Sequence, residues 1–555
     1  MGKGVGRGRT GSRGAQLLPV AYLLVAMALA LAVLPSALRP PPDEASASAQ
    51  LSPDAPPDAE AETIIQSLQQ AASRTAGASG SGEPPPTTTA PPLERQASRG
   101  QCFGDPPRQT ESAYAPPCRP AFTGDNGGAT WTNVTGDEVR VGFWHALGMP
   151  RERGPISDDP PPGESAVHRT VRVIQAYFNE RYELSGRRLR LVAIEDDGPS
   201  EEEQRASALH EAEVNRLFAA VHLNFPFCDE LTRRQLMCFN GNGFQDDVYE
   251  EHSPFWWSYQ MGLDKVDRMV GEYVCKKLVG RTADFARGVH QGRPRRIGYI
   301  VESWANNRFR TYETIRRSAR DHCGFDEVHA ANVNPEDPAQ IGSALAQMRA
   351  NDVTTIVNQT GLVASLVMWS AADSQGYFPE WVMLNSYGMD FGDGARLTGS
   401  RQLDGVFGMS GWELPRRFQE TDCYRAYKSI DPANAPDQNW CRLNWISVEH
   451  IVNGIQEAGP NLTPETFRDG LYDMPLQEVR GPWAIGGGYG PGDHSFVDDL
   501  AEIWWDSSCV DPDGGEPGCY QHTEGGRRWR PGELDDVVRV FNREGSVAGY
   551  EPGPR

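Results

Sequence analysis

No cysteine occurs among the first 101 residues of this 555-residue chain, so a lipid-modified cysteine just behind an N-terminal signal is excluded. CxxC pairs and close Cys/His clusters are absent as well, which leaves a zinc site without ligands at its usual spacing. HExxH, GxSxG and GxxxxGK[ST] do not occur, so the common zinc-peptidase, serine-hydrolase and P-loop signatures are missing. Cationic residues are in deficit, 53 Lys and Arg against 75 Asp and Glu for a net charge of −22. A surface of that sign repels phosphate and excludes nucleic acid as a partner.

What is present begins with an apolar run, Ala15 to Leu38, interrupted by Pro19, Tyr22 and the Pro35-Ser36 pair. It follows Lys3, Arg7, Arg9 and Arg13, with no acid among them. An apolar helix of about 20 residues spans a hydrocarbon core of roughly 30 Å, and a cationic flank stays on the cytoplasmic side. The expectation is a basic cytoplasmic segment at 1–14 and an uncleaved signal anchor at 15–38, with everything later outside the membrane. A cleaved signal is the alternative. Its small-x-small sites, Ala45-Ser46-Ala47 and Ala47-Ser48-Ala49, lie well past the run, whereas signal cores are short and cut close by.

Residues 39–100 are dominated by Pro, Ala, Ser, Thr and Gly, with Pro40-Pro41-Pro42 at one end and Pro84-Pro85-Pro86 near the other. Such a composition buries too little apolar area to offset its ordering entropy, and predicts a disordered tether. The remainder, 101–555, is long enough for two lobes. It holds all ten cysteines. An even count outside the membrane predicts disulfides, and proximity suggests Cys102–Cys118, Cys228–Cys238, Cys275–Cys323, Cys423–Cys441 and Cys509–Cys519, although spacing alone does not prove connectivity.

Two series of alternating strands and helices are legible. The first runs strand Val139 to Trp144, helix Ala166 to Tyr182, strand Leu189 to Ile194, helix Glu201 to Arg216 and strand Leu217 to Leu223. The second runs strand Arg296 to Val301, helices Thr311 to Cys323 and Pro338 to Ala350, strand Thr354 to Val357, helix Val363 to Ser374 and strand Trp381 to Leu384. Repeated βαβ units predict α/β lobes built on parallel sheets.

This order, with Ala176 to Arg181, Arg188 to Val192, the acidic turn Glu195-Asp196-Asp197-Gly198, and the late pair Ile451 to Gly459 and Leu462 to Phe467, resembles the type 1 periplasmic binding fold. The closer resemblance is to the branched-chain amino acid or amide type of ABC-transporter solute receptor. It implies a two-lobed Venus-flytrap, with lobe 1 at about 138–285 and 390–480 and lobe 2 at about 290–388 and 482–545. It further implies no enzyme activity, no cofactor, and an extracytoplasmic protein that hands a small polar solute to an ABC permease. Two departures stand out. Asn224-Phe225-Pro226-Phe227-Cys228 replaces the small residues that usually hold a carboxylate, and about 229–253 reads as an insertion. The turn Asn385-Ser386-Tyr387-Gly388 also carries no acid for a ligand ammonium, which argues against an α-amino acid. The alternatives are a membrane-tethered sensor or wall-associated interaction protein of the same fold, or a secreted hydrolase.

Ligands of such sheets bind beyond the carboxyl ends of the strands. The expected ligand-binding residues are therefore Trp144, His145, Asn224 and Phe225 in lobe 1, and Trp304, Asn306, Asn358, Thr360, Asn385 and Tyr387 in lobe 2. Aromatic walls with amides and hydroxyls suit an uncharged or zwitterionic solute. Each also has a plain structural reading, as core aromatics for the tryptophans or turn-satisfying amides for the asparagines. The acids of the 509–519 loop depart from EF-hand spacing and are read as a disulfide-closed turn, so no metal is expected.

Overall fold

The computed structural model describes residues 102–144, 153–194, 198, 200–303, 312–335, 337–385, 388–478, 484–512, 514–534 and 543–550. The expected anchor and tether lie outside these residues. Among the described residues no helix is long and apolar enough to cross a membrane.

The first sheet is built from β1 (Glu138–Phe143), β2 (Gly154–Pro155), β3 (Arg188–Ala193), β4 (Ala219–His222), β5 (Met237–Asn240) and β6 (Trp256–Ser258). Their order is β2-β3-β1-β4-β5-β6, parallel throughout except for β2. Helix α1 (Ala166–Arg181) starts where the Ser165 side chain accepts the His168 amide, and it lays Val167, Val171, Ile174 and Phe178 into the core. That spacing of three and four puts one apolar stripe on the sheet. Helix α2 (Glu201–Glu213) opens with a Ser200/Glu203 capping box and three glutamates in its first turn, where the helix dipole favours acids. The expected insertion is instead part of the sheet: α3 (Phe225–Arg233), β5 and α4 (Asp246–Glu251) fill it, and Cys228–Cys238 ties α3 to β5.

The second sheet contains β7 (Ile297–Glu302), β8 (His329–Val333), β9 (Thr355–Gln359), β10 (Glu380–Leu384) and β11 (Val406–Ser410), all parallel. It is extended by antiparallel β12 (Leu500–Val510), β13 (Pro517–His522) and the short β14 (Arg528–Trp529). Strands β9 to β11 are buried along their whole length, as expected of a parallel sheet covered on both faces. The covering helices in sequence order are α5 (Leu263–Tyr273), α6 (Tyr312–Cys323), α7 (Pro338–Ala350), α8 (Leu362–Gln375) and α9 (Gly392–Leu397). Helix α8 ends on Gly376 at φ 61°, a left-handed cap that glycine takes without a Cβ penalty.

All five expected disulfides are formed. The elements predicted from the sequence lie within about two residues of the observed ones at most ends, but the division into lobes differs. Helix α5, expected in lobe 1, packs on α6, and the turn that continues it at Val274–Leu278 is joined to α6 by Cys275–Cys323. Strand β11, also expected in lobe 1, pairs with β10. The chain returns to lobe 1 only with α10 (Asp422–Ile430), α11 (Gln438–Ala458) and α12 (Pro464–Tyr472), where α10 lies on α1 and α11 on β1 and β4. Residues 484–497, expected in lobe 2, run beside β6, with the Ser258 amide donating to the His494 carbonyl at 2.9 Å and the Phe496 amide to the Ser258 carbonyl at 3.0 Å. Local pattern identifies an element as strand or helix, but which sheet accepts it depends on a distant edge.

Three crossings therefore join the lobes, at about 259–262, 411–414 and 497–499. The first two leave the carboxyl ends of β6 and β11. The third enters β12 beside the carboxyl end of β11, where Ser410 pairs with Ala501. The carboxyl edges of both sheets consequently face the same gap.

Candidate functional site

In lobe 1, Trp144 follows the last residue of β1 and is half-buried. His222 closes β4 fully buried, stacked on Phe227 at 3.9 Å between ring centres. Its Nδ1 accepts the Asn224 amide at 3.0 Å, so the imidazole orders the turn into α3. Asn224 is the half-exposed N-cap of that helix, but its side chain makes no capping bond. Phe225 points inward and packs against Phe244 and Trp256. Asn240 ends β5 and bends the chain back, donating to the Leu223 carbonyl at 3.1 Å and accepting the Asn242 amide at 2.7 Å.

In lobe 2, Asn358 and Thr360 are fully buried and turned toward each other. The Thr360 hydroxyl donates to Asn358 Oδ1 at 2.9 Å, and Asn358 Nδ2 donates to Ser365 Oγ at 3.1 Å. These bonds lie inside the lobe and hold the turn into α8. Glu302, at the end of β7, accepts the Gly361 amide at 2.7 Å and secures the same turn. Asn385 stands at the end of β10 with φ 51°, and its amide donates to the Met409 carbonyl at 2.8 Å. A Cβ on Gly411 would meet Asn385 Oδ1 at 2.5 Å, so the second crossing passes directly beside this side chain. His145, Trp304, Asn306 and Tyr387, with the Asp196-Asp197 turn, lie outside the described residues.

Of the ten expected ligand residues, Trp144 and Asn385 directly follow the carboxyl ends of β1 and β10, and Asn224 caps the helix after β4; all three are part-exposed. Phe225 belongs to a core, and Asn358 and Thr360 to a buried turn network.

A constellation missed in the sequence surrounds Asp390. No acid occupies 385–388, but the turn brings Asp390 to the same edge, where Trp412 Nε1 donates to its Oδ1 at 3.1 Å. Oδ2 is buried without a hydrogen-bond partner. Burial pushes this carboxyl up to about 6, against the opposing effect of bonds from Ser410, Trp412 and Gly411. Phe391 meets Trp412 edge-on at 5.6 Å. An acid of this kind can meet a cationic group, or donate a hydrogen bond when protonated. The signal available in the sequence was Gly411-Trp412 directly after a buried strand; the distance from Asp390 to Trp412 along the chain hid the pairing.

An ion pair links helices of the two lobes. Arg442, on α11 of lobe 1, bonds Asp393 on α9 of lobe 2. Asp393 is also held by Arg396, which reaches Asp511 at 2.7 Å and Glu516 at 2.9 Å. Asp511 and Glu516 of the Cys509–Cys519 hairpin are therefore engaged by an arginine. Among the described residues no His/Cys/Asp/Glu cluster fit for a metal occurs.

Residues 283–501 match the family model described as periplasmic binding protein. The structure resembles a solute-binding protein of an ABC transporter from R. palustris solved with 4-hydroxybenzoate, at 11% identity over 73% of this chain and 100% of that one, with a TM-score of 0.51. A fatty acid ABC transporter substrate-binding protein from Thermomonospora curvata aligns at 15% identity over 76% of this chain and 97% of that one, with a TM-score of 0.49. No curated protein matches the sequence. The likeness read from the sequence holds at the level of fold: this is a divergent two-lobed α/β architecture of the type 1 periplasmic binding protein kind.

Proposed function

We propose that the chain is an extracytoplasmic solute-binding protein that captures a small polar solute between its lobes by closure about the three crossings and hands it to an ABC permease. It is held at the membrane by the N-terminal apolar segment, or released if that segment is cleaved. The observation that carries this reading is that all three crossings lie at the carboxyl edges of the two sheets, so that loop residues of both lobes line one gap. Closure around a solute is favoured to the extent that contacts form only in the closed state. The Arg442–Asp393 pair is one contact of that kind between the lobes.

The solute class follows from what borders the gap. Trp144, Phe391 and Trp412 offer aromatic surface, Asn224 and Asn385 offer amides, and Asp390 offers a buried carboxyl. With that acid in place, the argument against a ligand bearing an ammonium falls away, and amino acids, amides and related polar solutes return as the class to test. Thermal unfolding in the presence of amino acids, amides, short peptides and polyols checks this, since a ligand at 100 times its Kd adds about 2.7 kcal/mol. Asp390→Asn is expected to weaken a cationic ligand at least tenfold, about 1.4 kcal/mol, and to spare a neutral one. A panel in which no compound raises the midpoint would sink the capture reading.

A further inference from the structure

Residues 102–119 form a strap ahead of β1, closed by Cys102–Cys118 and by bridges from Arg108 to Phe103 and Pro117. The strap lies outside the stretch that matches the family model. Its backbone and most of its side chains are fixed to lobe 1 alone. Gln109 donates to the Arg181 carbonyl at the end of α1 at 2.6 Å, Asn453 and Gln456 of α11 donate to the carbonyls of Tyr114 and Pro117 at 2.9 and 3.2 Å, and Arg119 pairs with Glu457.

The Tyr114 side chain reaches further. Tyr114 is 3% exposed. Its hydroxyl donates to Glu413 Oε1 of the second crossing at 2.6 Å and accepts the Ile485 amide at 3.1 Å, on the segment that leads to the third. The other Glu413 oxygen is taken by Arg416 at 2.8 Å, so the acceptor is fixed. The Tyr114 ring stands edge-on to Phe496, 5.7 Å away, and Phe496 stacks at 5.9 Å on Tyr259 of the first crossing. One tyrosine anchored to lobe 1 thereby touches, directly or through one ring, all three segments about which the lobes would turn. A hydrogen bond to a partly buried carboxylate is among the stronger neutral-donor bonds, and an aromatic ring wedged among packed rings resists small displacements.

We propose that the strap acts through Tyr114 as a bracket on the crossings, setting the resting angle between the lobes and limiting their excursion. This rests on the lobe closure proposed above, but its test needs no solute. Spin labels carried by noncanonical residues at Val214 and Val289, which are 62% and 80% exposed on the outer ends of lobe 1 and lobe 2, report the interlobe distance in the full chain. In Tyr114→Phe and Glu413→Ala the unliganded distance distribution is expected to broaden and its mean to shift by about 2 Å or more, the scale of a domain rearrangement. Distributions that match the parent in whichever of the two variants folds, even with a lowered thermal midpoint, would reduce the strap to packing and overturn the proposal. If the variants shift the distribution while no solute narrows it in the parent, the bracket stands and the capture reading fails.

Discussion

Each lobe buries a glutamate completely, and the two are treated in opposite ways. In lobe 2, Glu380 of β10 is met by Arg295 Nε and Nη2 at 2.7 and 3.0 Å, by the Thr355 hydroxyl at 2.6 Å and by the Phe285 amide at 3.1 Å. Every lone pair has a donor and the charge has a partner. In lobe 1, Glu449 of α11 has no arginine or lysine against it among the described residues. Tyr182 approaches its Oε1 at only 3.5 Å, and Oε2 is buried without a partner. Burial, with Asp422 and Glu413 adding repulsion, pushes its carboxyl up to about 8. A buried charge is retained where it is paired and hydrogen-bonded; otherwise the group takes a proton. Glu380 therefore acts as an ionic staple between β10 and the 285–295 segment, whereas Glu449 is a neutral acid under the strap at physiological pH.

The largest expected effect breaks the paired side of this contrast. Glu380→Ala leaves Arg295 buried and unpaired, and is expected to cost about 3–5 kcal/mol in urea-induced unfolding. A loss below about 1 kcal/mol would show that Arg295 finds another partner or water.

The next effect belongs to Glu449. Its folded-state value lies above its ordinary one near 4.5, so the stability linked to it is complete below that value and is lost as pH rises toward about 8. The slope is at most about 1.4 kcal/mol per pH unit. Glu449→Gln should remove that slope and stabilise the protein at pH 9. Unfolding curves at pH 5, 7 and 9 test this, and parallel losses in parent and variant would remove Glu449 as the cause.

His450, the next residue on α11, sets the opposite limb. Burial alone holds it down at about 3, so it stays neutral in the fold, bonded to the Tyr489 hydroxyl at 2.9 Å. Its contribution is present above its ordinary value near 6.5 and is lost as pH falls toward 3. His450→Gln should flatten the acid limb that the parent shows between those values. His522 is held down to a similar degree, which leaves a residual acid sensitivity in that variant.

The smallest effect concerns the pair between the lobes. Arg442 and Asp393 are both partly exposed, and such pairs contribute about 0.2–1 kcal/mol. A double-mutant cycle with Arg442→Ala and Asp393→Ala should return a coupling in that range that shrinks at high salt. Zero coupling at low salt would remove this pair as a closure contact.

Strands β1, β3, β4, β7, β9 and β10 were legible in the sequence, because runs such as Ile297–Val301 and Trp381–Leu384 carry no charge, and α1 and α7 carry clear caps and periodicity, whereas β2, β5, β6, β8 and β11 to β14 were missed. The candidate site was legible only in part. The rule that ligands gather at strand ends picked out Trp144, Asn224 and Asn385, which are part-exposed just beyond strands, yet it could not distinguish such a residue from one turned inward. Asn358 satisfies Thr360 and Ser365, and Phe225 completes a core. Asp390 escaped because its partner Trp412 lies on another segment, and a carboxyl acquires its character from what surrounds it.

By itself the sequence determined the α/β class and the type and order of the elements it named, and it suggested the five disulfide pairings by proximity, since each of these follows from local periodicity, capping or near spacing. Only the tertiary structure decided the lobe to which α5, β11 and residues 484–497 belong, the placing of Asp390 against Trp412, the burial of Glu449 without a cation, and the reach of Tyr114 to the crossings. Those outcomes depend on pairings between residues tens to hundreds of positions apart, where burial and partner geometry arise from the packed chain and leave no periodic trace in the sequence.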